Sequence, residues 1–288
     1  MKPDPRFLNQ PKSFWAYVRS ISQHVGYTAR GTGRILVPDL ASIVKAIEEL
    51  KLNAAYVVDA DGKPTIIGAS LVAYFSHRAD LLNDVVEPRL MNAAQAAKMF
   101  ARVKKTTQSK LPAPMNKQKG DKKKPAYLTA IVNMLIDASI GAGSCDYDPR
   151  ELTTFTRNGV PLRTLARRID GAFPAAVNPV AVWEIKEYYH TTTFGSRVAD
   201  GVYETLLDGM ELEELRQSER VDCKHYLMID AHYTWWDCGR SYLCRIVDML
   251  HMGYVDEVLV GTEVIDRLPE LAKEWVAYLA ALRGGGVQ

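Results

Sequence analysis

The feature that most constrains this chain is an apolar, strand-like run, Val180–Tyr189, that contains Glu184 and Lys186. Its apolar and aromatic content predicts a β-strand. Side chains alternate between the two faces of a strand, so Glu184 and Lys186 share one face. A carboxylate and an ammonium group are costly to bury without a partner or a task. The run therefore predicts a functional pair or, as the alternative, a cross-strand salt bridge on a solvated sheet face.

A second acid, Asp170, lies upstream of this pair. The apolar run Val160–Ile169 predicts a strand that delivers Asp170 into a glycine-containing turn. Thirteen residues separate Asp170 from Glu184, about the length of a strand–loop–strand return. If the two strands pair, both carboxylates converge on one divalent cation, with Lys186 beside it.

The combination of Asp170, Glu184 and Lys186 resembles the PD-(D/E)xK nuclease superfamily and, within it, the type II restriction endonucleases. The resemblance implies that Asp170, Glu184 and the backbone carbonyl of Ile185 hold Mg²⁺, while Lys186 positions the attacking water. Ile169 stands where the motif has a proline, which is a departure from the pattern.

The predicted order of elements is consistent with this resemblance. Over residues 126–262 the pattern predicts helix, three strands as a meander, helix, strand, helix and strand. This is the order in the superfamily's core. The resemblance therefore implies an α/β (α+β) fold with a restriction-endonuclease-like core, in which helices flank a mixed central sheet.

Composition and pattern divide the chain into three parts. Residues 1–103 predict a smaller N-terminal α/β domain of helices and one hairpin around Asp61–Gly62, for which a winged-helix-like, DNA-recognising role is one interpretation. Residues 104–125 are polar and lack periodicity, which predicts a basic linker or mobile loop. Residues 126–288 are the predicted catalytic domain.

Positive charge is concentrated in one segment, although the net charge is only +2. Between residues 101 and 124 there are nine Lys or Arg and one Asp, a pattern typical of phosphate contact. The glycine-rich loop of residues 27–34 adds two arginines. A solvated tether and a plain exposed turn are the alternative interpretations. The predicted DNA-binding residues are Arg30, Arg34, Lys104, Lys105, Lys122, Lys123 and Lys124.

The resemblance also implies an accessory carboxylate from the helix before the catalytic sheet. The apolar run Tyr127–Ile140 predicts that helix and offers Asp137, with Glu151 as the second candidate. A capping or surface role is the alternative for both acids.

Several classes of protein are not expected. No stretch approaches about 18 apolar residues, so we expect no transmembrane helix. The N-terminus lacks the apolar core of a signal peptide. The four cysteines form no C-x-x-C pair, so we expect reduced thiols in the cytoplasm rather than a zinc site.

The resemblance thus implies a Mg²⁺-dependent, site-specific endonuclease of double-stranded DNA. A two-fold homodimer is the simplest assembly for cutting both strands, and Tyr233–Tyr242 is one candidate interface, although core packing is an alternative for its aromatic residues. A DNA methyltransferase acting on the same site is a further expected partner. The alternatives are a repair or mobile-element nuclease of the same fold, and a DNA-binding protein without activity.

Overall fold

Helices dominate the first half of the chain, and the named strands all lie after residue 150. The computed structural model describes residues 1–29, 31–116, 123–190 and 195–284. The helices are α1 (Pro5–Leu8), α2 (Lys12–Val25), α3 (Leu40–Glu49), α4 (Ile66–Asp80), α5 (Ala93–Thr107), α6 (Tyr127–Ser139), α7 (Ser196–Glu219), α8 (Arg240–His251) and α9 (Val264–Gly284). The strands are β1 (Thr154–Arg157), β2 (Val160–Thr164), β3 (Gly171–Phe173), β4 (Ala181–Glu187), β5 (Lys224–Asp230) and β6 (Glu257–Val260).

Four of the strands form one mixed sheet in the order β3-β4-β5-β6. β3 runs antiparallel to β4, whereas β4, β5 and β6 are parallel. Parallel neighbours need a crossover connection, and α7 and α8 provide the two crossovers. The predicted mixed α/β class, with helices flanking a central sheet, is therefore confirmed.

Helices cover both faces of this sheet. Trp183 and Ile185 of β4 pack on one face in an apolar core with residues of α6 and α9. On the other face, Leu227 of β5 and Val258 of β6 pack against α7 and α8. Every residue from Ala181 to Lys186 is buried as a result, and among them Glu184 and Lys186 are the charged side chains.

The first two strands after α6 form a hairpin around Asn158–Gly159, which lies outside the central sheet. β1 and β2 pair antiparallel, and Asn158 and Gly159 have φ values of 53° and 78° in the turn. The predicted three-strand meander is wrong. The hairpin packs on α7 through Phe155, together with Leu165 just after it, instead of extending the sheet.

The N-terminal helices have a core of their own. Aromatic residues of α1, α2 and α4 pack there with apolar residues of α3. The turn predicted around Asp61–Gly62 forms, but the hairpin is reduced to a single antiparallel bridge between Val58 and Pro64. Thr65 accepts a hydrogen bond from the Gly68 N–H at 3.1 Å and caps α4 at once, which leaves no residues for a second strand.

The end of α4 and the helix α5 connect this core to the sheet. Ala79 and Val86 join the apolar core that covers β5 and β6. Asn92 caps α5 through a capping box with Gln95, and Val103 of this helix packs with α6. The linker predicted from residue 104 begins later, because α5 continues to Thr107. Within the described ranges, no helix is both long and apolar enough to span a bilayer.

Candidate active site

The structure brings Asp170, Glu184 and Lys186 together at the junction of β3 and β4. Asp170 precedes β3 instead of following a long strand, because β2 stops at Thr164 and the connection is irregular. The Asp170 N–H donates to Glu184 Oε1 at 3.2 Å. Glu184 is 0% exposed and Lys186 is 8% exposed. The salt bridge of the alternative interpretation does form, at 2.6 Å, but the face that carries it is buried and not solvated.

The main chain of Ile185 belongs to the same site. Its N–H donates to Asp170 Oδ2 at 2.8 Å. In a strand, the N–H and C=O of one residue point to the same side, so the Ile185 carbonyl also points toward Asp170. β3 begins only at Gly171, which pairs with Trp183, so no residue of the described sheet pairs with Ile185 on this side. Two carboxylates and one carbonyl therefore lie at one edge of the sheet.

An ion network, which we call the site network, surrounds this edge. Arg167 contacts Glu184 at 2.9 Å and Asp208 at 2.7 Å. Lys186 Nζ contacts Glu184 at 2.6 Å. Glu204 of α7 contacts both cations, at 2.8 Å from Lys186 and 3.3 Å from Arg167. The network thus extends beyond the predicted residues to Arg167 before β3 and to two acids of α7.

Burial and crowding shift the pKa values of the acids in this site. Burial and the neighbouring Glu184 raise the pKa of Asp170 to about 6. Burial would also raise the pKa of Glu184, but Lys186 and Arg167 outweigh it and lower that pKa. Burial and Glu184 raise the pKa of Asp208 to about 7. The site contains four carboxylates, those of Asp170, Glu184, Glu204 and Asp208, and two cations, Arg167 and Lys186. When all six groups are ionised, the site has a surplus of two negative charges.

The site opens into a cavity of about 900 Å³. Asp170, Lys186 and Glu204 lie on its wall, together with the segment Leu111–Asn116. A cavity of this size lies in the range of small-molecule sites and is large enough for one nucleotide unit of a strand. The surplus negative charge is therefore accessible from the cavity.

α6 lines the cavity with Thr129 and Asn133, which are one turn apart. Asn133 is 8% exposed, and its Oδ1 has no hydrogen-bond partner among the described residues. The predicted accessory acid Asp137 lies one turn further along. It accepts a hydrogen bond from Ser109 Oγ at 2.7 Å and is not among the residues that line the cavity. In the sequence, Thr129, Asn133 and Asp137 recur every four residues in a mostly apolar helix. This spacing could have indicated that all three residues lie on one polar face of α6.

Two further acids differ in their position. Glu151, the second candidate for the accessory acid, is exposed before β1 and is not part of the cavity wall. Glu187, at the end of β4, does line the cavity. Its carboxylate accepts hydrogen bonds from the N–H groups of Leu128 and Thr129, at 2.5 and 3.1 Å. Burial raises the pKa of Glu187 to about 7. This acid therefore fixes the first turn of α6 against β4.

Among the predicted DNA-binding residues, Lys123 and Lys124 are adjacent to the cavity. Both are exposed, and the main chain of Lys124 forms two hydrogen bonds with Asn116 of the cavity wall, at 2.9 and 3.1 Å. Arg30 and Lys122 lie outside the described residues.

The other predicted DNA-binding residues lie apart from the cavity wall. Lys104 and Lys105 are exposed in the last turn of α5, where their charge complements the helix dipole. Arg34 forms a surface salt bridge with Asp84 at 3.0 Å.

The aromatic segment considered as a dimer interface is largely internal. Trp235 and Trp236 are buried in the core, whereas Tyr233 is exposed. Trp235 Nε1 donates to the Lys186 carbonyl at 3.3 Å. Trp235 therefore contacts β4 from the core, and neither buried tryptophan presents a surface to a second subunit.

The donor set at the sheet edge is chemically suited to a hard cation. Asp170, Glu184 and Ile185 offer oxygen atoms, which are the ligands that Mg²⁺ prefers. Within the described ranges, no three His, Cys, Asp or Glu side chains converge as a ready-made metal cage. Mg²⁺ usually keeps several waters and takes one or two carboxylates from the protein, so such a cage is not required. The residues present therefore fit this ion.

Two family models match the chain. One, described as domain of unknown function DUF7690, matches residues 1–85. The other, described as domain of unknown function DUF7687, matches residues 91–275 and includes the whole site network. The junction between the matches precedes α5, which the sequence alone assigns to the N-terminal domain. No curated protein and no solved structure matches the chain.

Proposed function

The chain belongs to the family of the domain of unknown function DUF7687, and we propose that it is a Mg²⁺-dependent endonuclease of double-stranded DNA that resembles the type II restriction enzymes. One observation supports this function above the others. Among the described residues, four carboxylates and two cations form one network, and Asp170 and Glu204 bring it to the wall of an open cavity, beside a backbone carbonyl. Surplus negative charge is costly to bury, so the site favours a cation.

Each residue at the sheet edge has a role in this proposal. Asp170, Glu184 and the Ile185 carbonyl would hold Mg²⁺, which, when bound, acidifies water and offsets charge on the reacting phosphate. Burial would lower the pKa of Lys186, but Glu184 and Asp170 outweigh it and raise that pKa, so the ammonium stays charged. Lys186 then donates to a phosphate oxygen and orients the attacking water. Arg167 holds Glu184 in place through its 2.9 Å contact.

The charge around the cavity suits a polynucleotide substrate. Lys123 and Lys124 flank the wall, and Arg197 lines it. Basic residues beside the cavity attract the phosphate backbone, while the acids within it attract the divalent cation. This division of charge is what hydrolysis of a phosphodiester requires, because both the cation and the anionic substrate must reach one place.

The experiment that tests the function is a plasmid-cleavage assay with Mg²⁺ and with EDTA, using Glu184→Gln as the matched inactive control. We expect discrete fragments with Mg²⁺ and none with EDTA. A smear would indicate a non-specific nuclease, as in the repair or mobile-element alternative. Intact plasmid in the presence of measurable DNA binding would contradict the proposal and favour the binding-protein alternative.

Assembly is a separate part of the proposal. Two antiparallel strands of a symmetric site are most simply cut by a two-fold dimer, each subunit carrying one site. Sedimentation of the protein with a cognate duplex should give two chains per duplex. One chain per duplex that still makes double-strand breaks would contradict this assembly.

A further inference from the structure

Glu204 differs from the other members of the site network in its exposure. Its side chain is 41% exposed, whereas those of Glu184 and Asp208 are 0% exposed. Glu204 also lines the cavity, which Glu184 and Asp208 do not. It is therefore the member of the network that can leave its partners without opening the core.

The position of Glu204 follows from a close approach of α7 to β4. A Cβ at Gly201 would lie 2.8 Å from Tyr188 Oη and 3.2 Å from Lys186 Cδ. Glycine at this position therefore lets the stem of Lys186 lie against the helix. One turn further along α7, the Glu204 carboxylate meets the Lys186 ammonium at 2.8 Å. The sequence thus places an acid where it reaches both cations from the cavity side.

Both cations that Glu204 touches are natural partners of a phosphate group. Lys186 and Arg167 donate to it at 2.8 and 3.3 Å. A phosphodiester carries the same single negative charge as a carboxylate and accepts hydrogen bonds from the same donors. Glu184 contacts the same two cations, but it is enclosed and is a proposed ligand of the metal. Glu204 is the remaining anion that an incoming phosphate could replace.

We propose that the Glu204 carboxylate occupies the place of a backbone phosphate: it neutralises Lys186 and Arg167 in the free protein and is displaced when a phosphodiester of the substrate binds. This inference rests on the proposed function, since that function brings a phosphodiester to the cavity. Glu204 then acts as an internal competitor that weakens binding of anions. A true substrate overcomes this competition because it adds backbone contacts at the cavity rim.

The test compares Glu204→Gln with Glu211→Gln. Glu211 lies two turns further along α7, removes the same charge when mutated, and contacts Arg163 at 3.3 Å and the Ala166 N–H at 3.0 Å instead of the cavity. Binding of a fluorescent 16-mer duplex is measured by anisotropy in EDTA, so that no cleavage occurs. Thermal melting of both variants confirms that they are folded.

We expect Glu204→Gln to lower the Kd for the duplex by about ten-fold, because the binding-competent state is no longer occupied by the competitor. Glu211→Gln should change the Kd by less than about two-fold, since it alters only the distant charge. Equal tightening in both variants would mean a general charge effect and would overturn the inference. An unchanged or weaker affinity of Glu204→Gln, or no binding by any of the proteins, would also overturn it.

Cleavage with Mg²⁺ supplies the second readout. Displacement of a competitor predicts a lower KM for Glu204→Gln, whereas a role in positioning Lys186 predicts a lower kcat at unchanged KM and would contradict the inference. If Mg²⁺ produces no cleavage by the wild-type protein but Glu204→Gln still binds the duplex more tightly, the proposed nuclease activity fails while the inference about Glu204 stands.

Discussion

Two buried arginine–carboxylate networks in this molecule differ in charge balance and in access to solvent. The first joins α4 to α8: Arg78 contacts Asp248 at 3.1 Å, Tyr74 donates to the same carboxylate at 2.6 Å, and Arg78 also donates to Ser22. It contains one cation and one carboxylate, both almost fully buried. The second is the site network, in which four carboxylates, Asp170 included, share two cations beside a cavity.

In the proposed function, the balanced network is structural and the site network is functional. A balanced, enclosed pair has no need of a further ligand, and breaking it leaves a buried charge without compensation. A network with surplus negative charge at an open wall can accept a further cation. Shifted acid pKa values, as at Asp170, are typical of functional sites. We therefore expect mutations to separate the two networks, one by its effect on stability and the other by its effect on cleavage.

The largest effect is expected in the site network. Asp170→Asn, Glu184→Gln and Lys186→Met should each lower plasmid cleavage by at least about 10³-fold, because each removes a metal ligand or the cation beside the phosphate. Duplex binding measured with Ca²⁺ should remain. Glu211→Gln, which removes a charge away from the cavity wall, serves as the control. Cleavage by Glu184→Gln at the wild-type rate would refute the assignment of the site.

The balanced network should respond in stability instead. Arg78→Met leaves Asp248 buried without its cation, and we expect a loss of about 3–5 kcal/mol in the free energy of unfolding, measured in urea. Cleavage per folded molecule should stay at the wild-type level. The double variant Arg78→Met/Asp248→Leu should recover much of the stability, because no buried charge is left unpaired. A loss below about 1 kcal/mol in the single variant would contradict the structural role of this pair.

A third buried carboxylate, Asp230, shows how an acid is accommodated without a cation. Within the described ranges it forms no ion pair, but it accepts hydrogen bonds from the N–H groups of Met91 and Ala231, at 2.7 and 2.8 Å, and from the Tyr189 hydroxyl. Burial raises its pKa to about 7, and these hydrogen bonds offset only part of that effect. Between about pH 4 and 7 the folded protein thus keeps a proton that the unfolded chain has released.

Because the folded state binds more protons in this window, Asp230 should lower stability as pH rises from about 4 to 7. Asp230→Asn removes this titration, so the free energy of unfolding of the variant, relative to wild type, should rise by about 2–4 kcal/mol between those pH values. The site acids titrate in both proteins, and their contribution cancels in the difference. The difference in the free energy of unfolding between variant and wild type is measured by urea denaturation at several pH values. A difference that does not depend on pH would contradict the raised pKa of Asp230.

The sequence alone was sufficient to predict β4 and its charged face. Strand alternation puts Glu184 and Lys186 on one side whatever the tertiary context. The contact of Asp170 with the Ile185 N–H shows that the expected approach of Asp170 to β4 was right, although β3 follows Asp170 and the predicted strand Val160–Ile169 does not extend to it. The order of the later helices and strands was also predictable, because their apolar periodicity is strong. The predicted meander was wrong because the pairing of the strands depends on how the hairpin packs on α7. Local sequence patterns do not encode that packing.

The rest of the site depends on how elements dock. Arg167 lies in an irregular segment with no periodic signal. Glu204 and Asp208 are one turn apart on a helix with many acids, and only the close approach at Gly201 selects the face that meets β4. In α6 the four-residue spacing of polar residues indicates a polar face. Which of these residues reach the cavity depends on the contact between the first turn of α6 and Glu187.

A smaller effect is expected at Asn133, where one mutation should change stability and cleavage in opposite directions. Its Oδ1 is buried without a hydrogen bond in the described part of the chain, which is unfavourable. Asn133→Leu keeps the approximate volume, and we expect it to stabilise the protein by about 1 kcal/mol. We expect it to lower cleavage, because it removes a polar group from the wall of the cavity in which the substrate would bind. Asn83→Leu is the control, because Asn83 is also buried but accepts the Ile35 N–H at 3.0 Å, so its loss should destabilise. Equal destabilisation by both changes would show that the Asn133 amide has a structural partner.

The smallest effect concerns the basic residues beside the cavity. Lys123 and Lys124 are exposed, and the hydrogen bonds of Lys124 to Asn116 hold this part of the chain at the cavity wall. Each lysine that displaces a condensed counterion contributes about −0.9 to the slope of log affinity against log salt. Changing both to Gln should therefore flatten the slope by up to about 2 units, whereas Lys273→Gln, an exposed change on α9, should leave it unaltered. Sequence preference should survive, because phosphate contacts position a protein without reading bases.

The measurement is a salt titration on cognate and random duplexes. An unchanged slope would mean that these lysines do not contact DNA, and a loss confined to the cognate duplex would mean that they read bases.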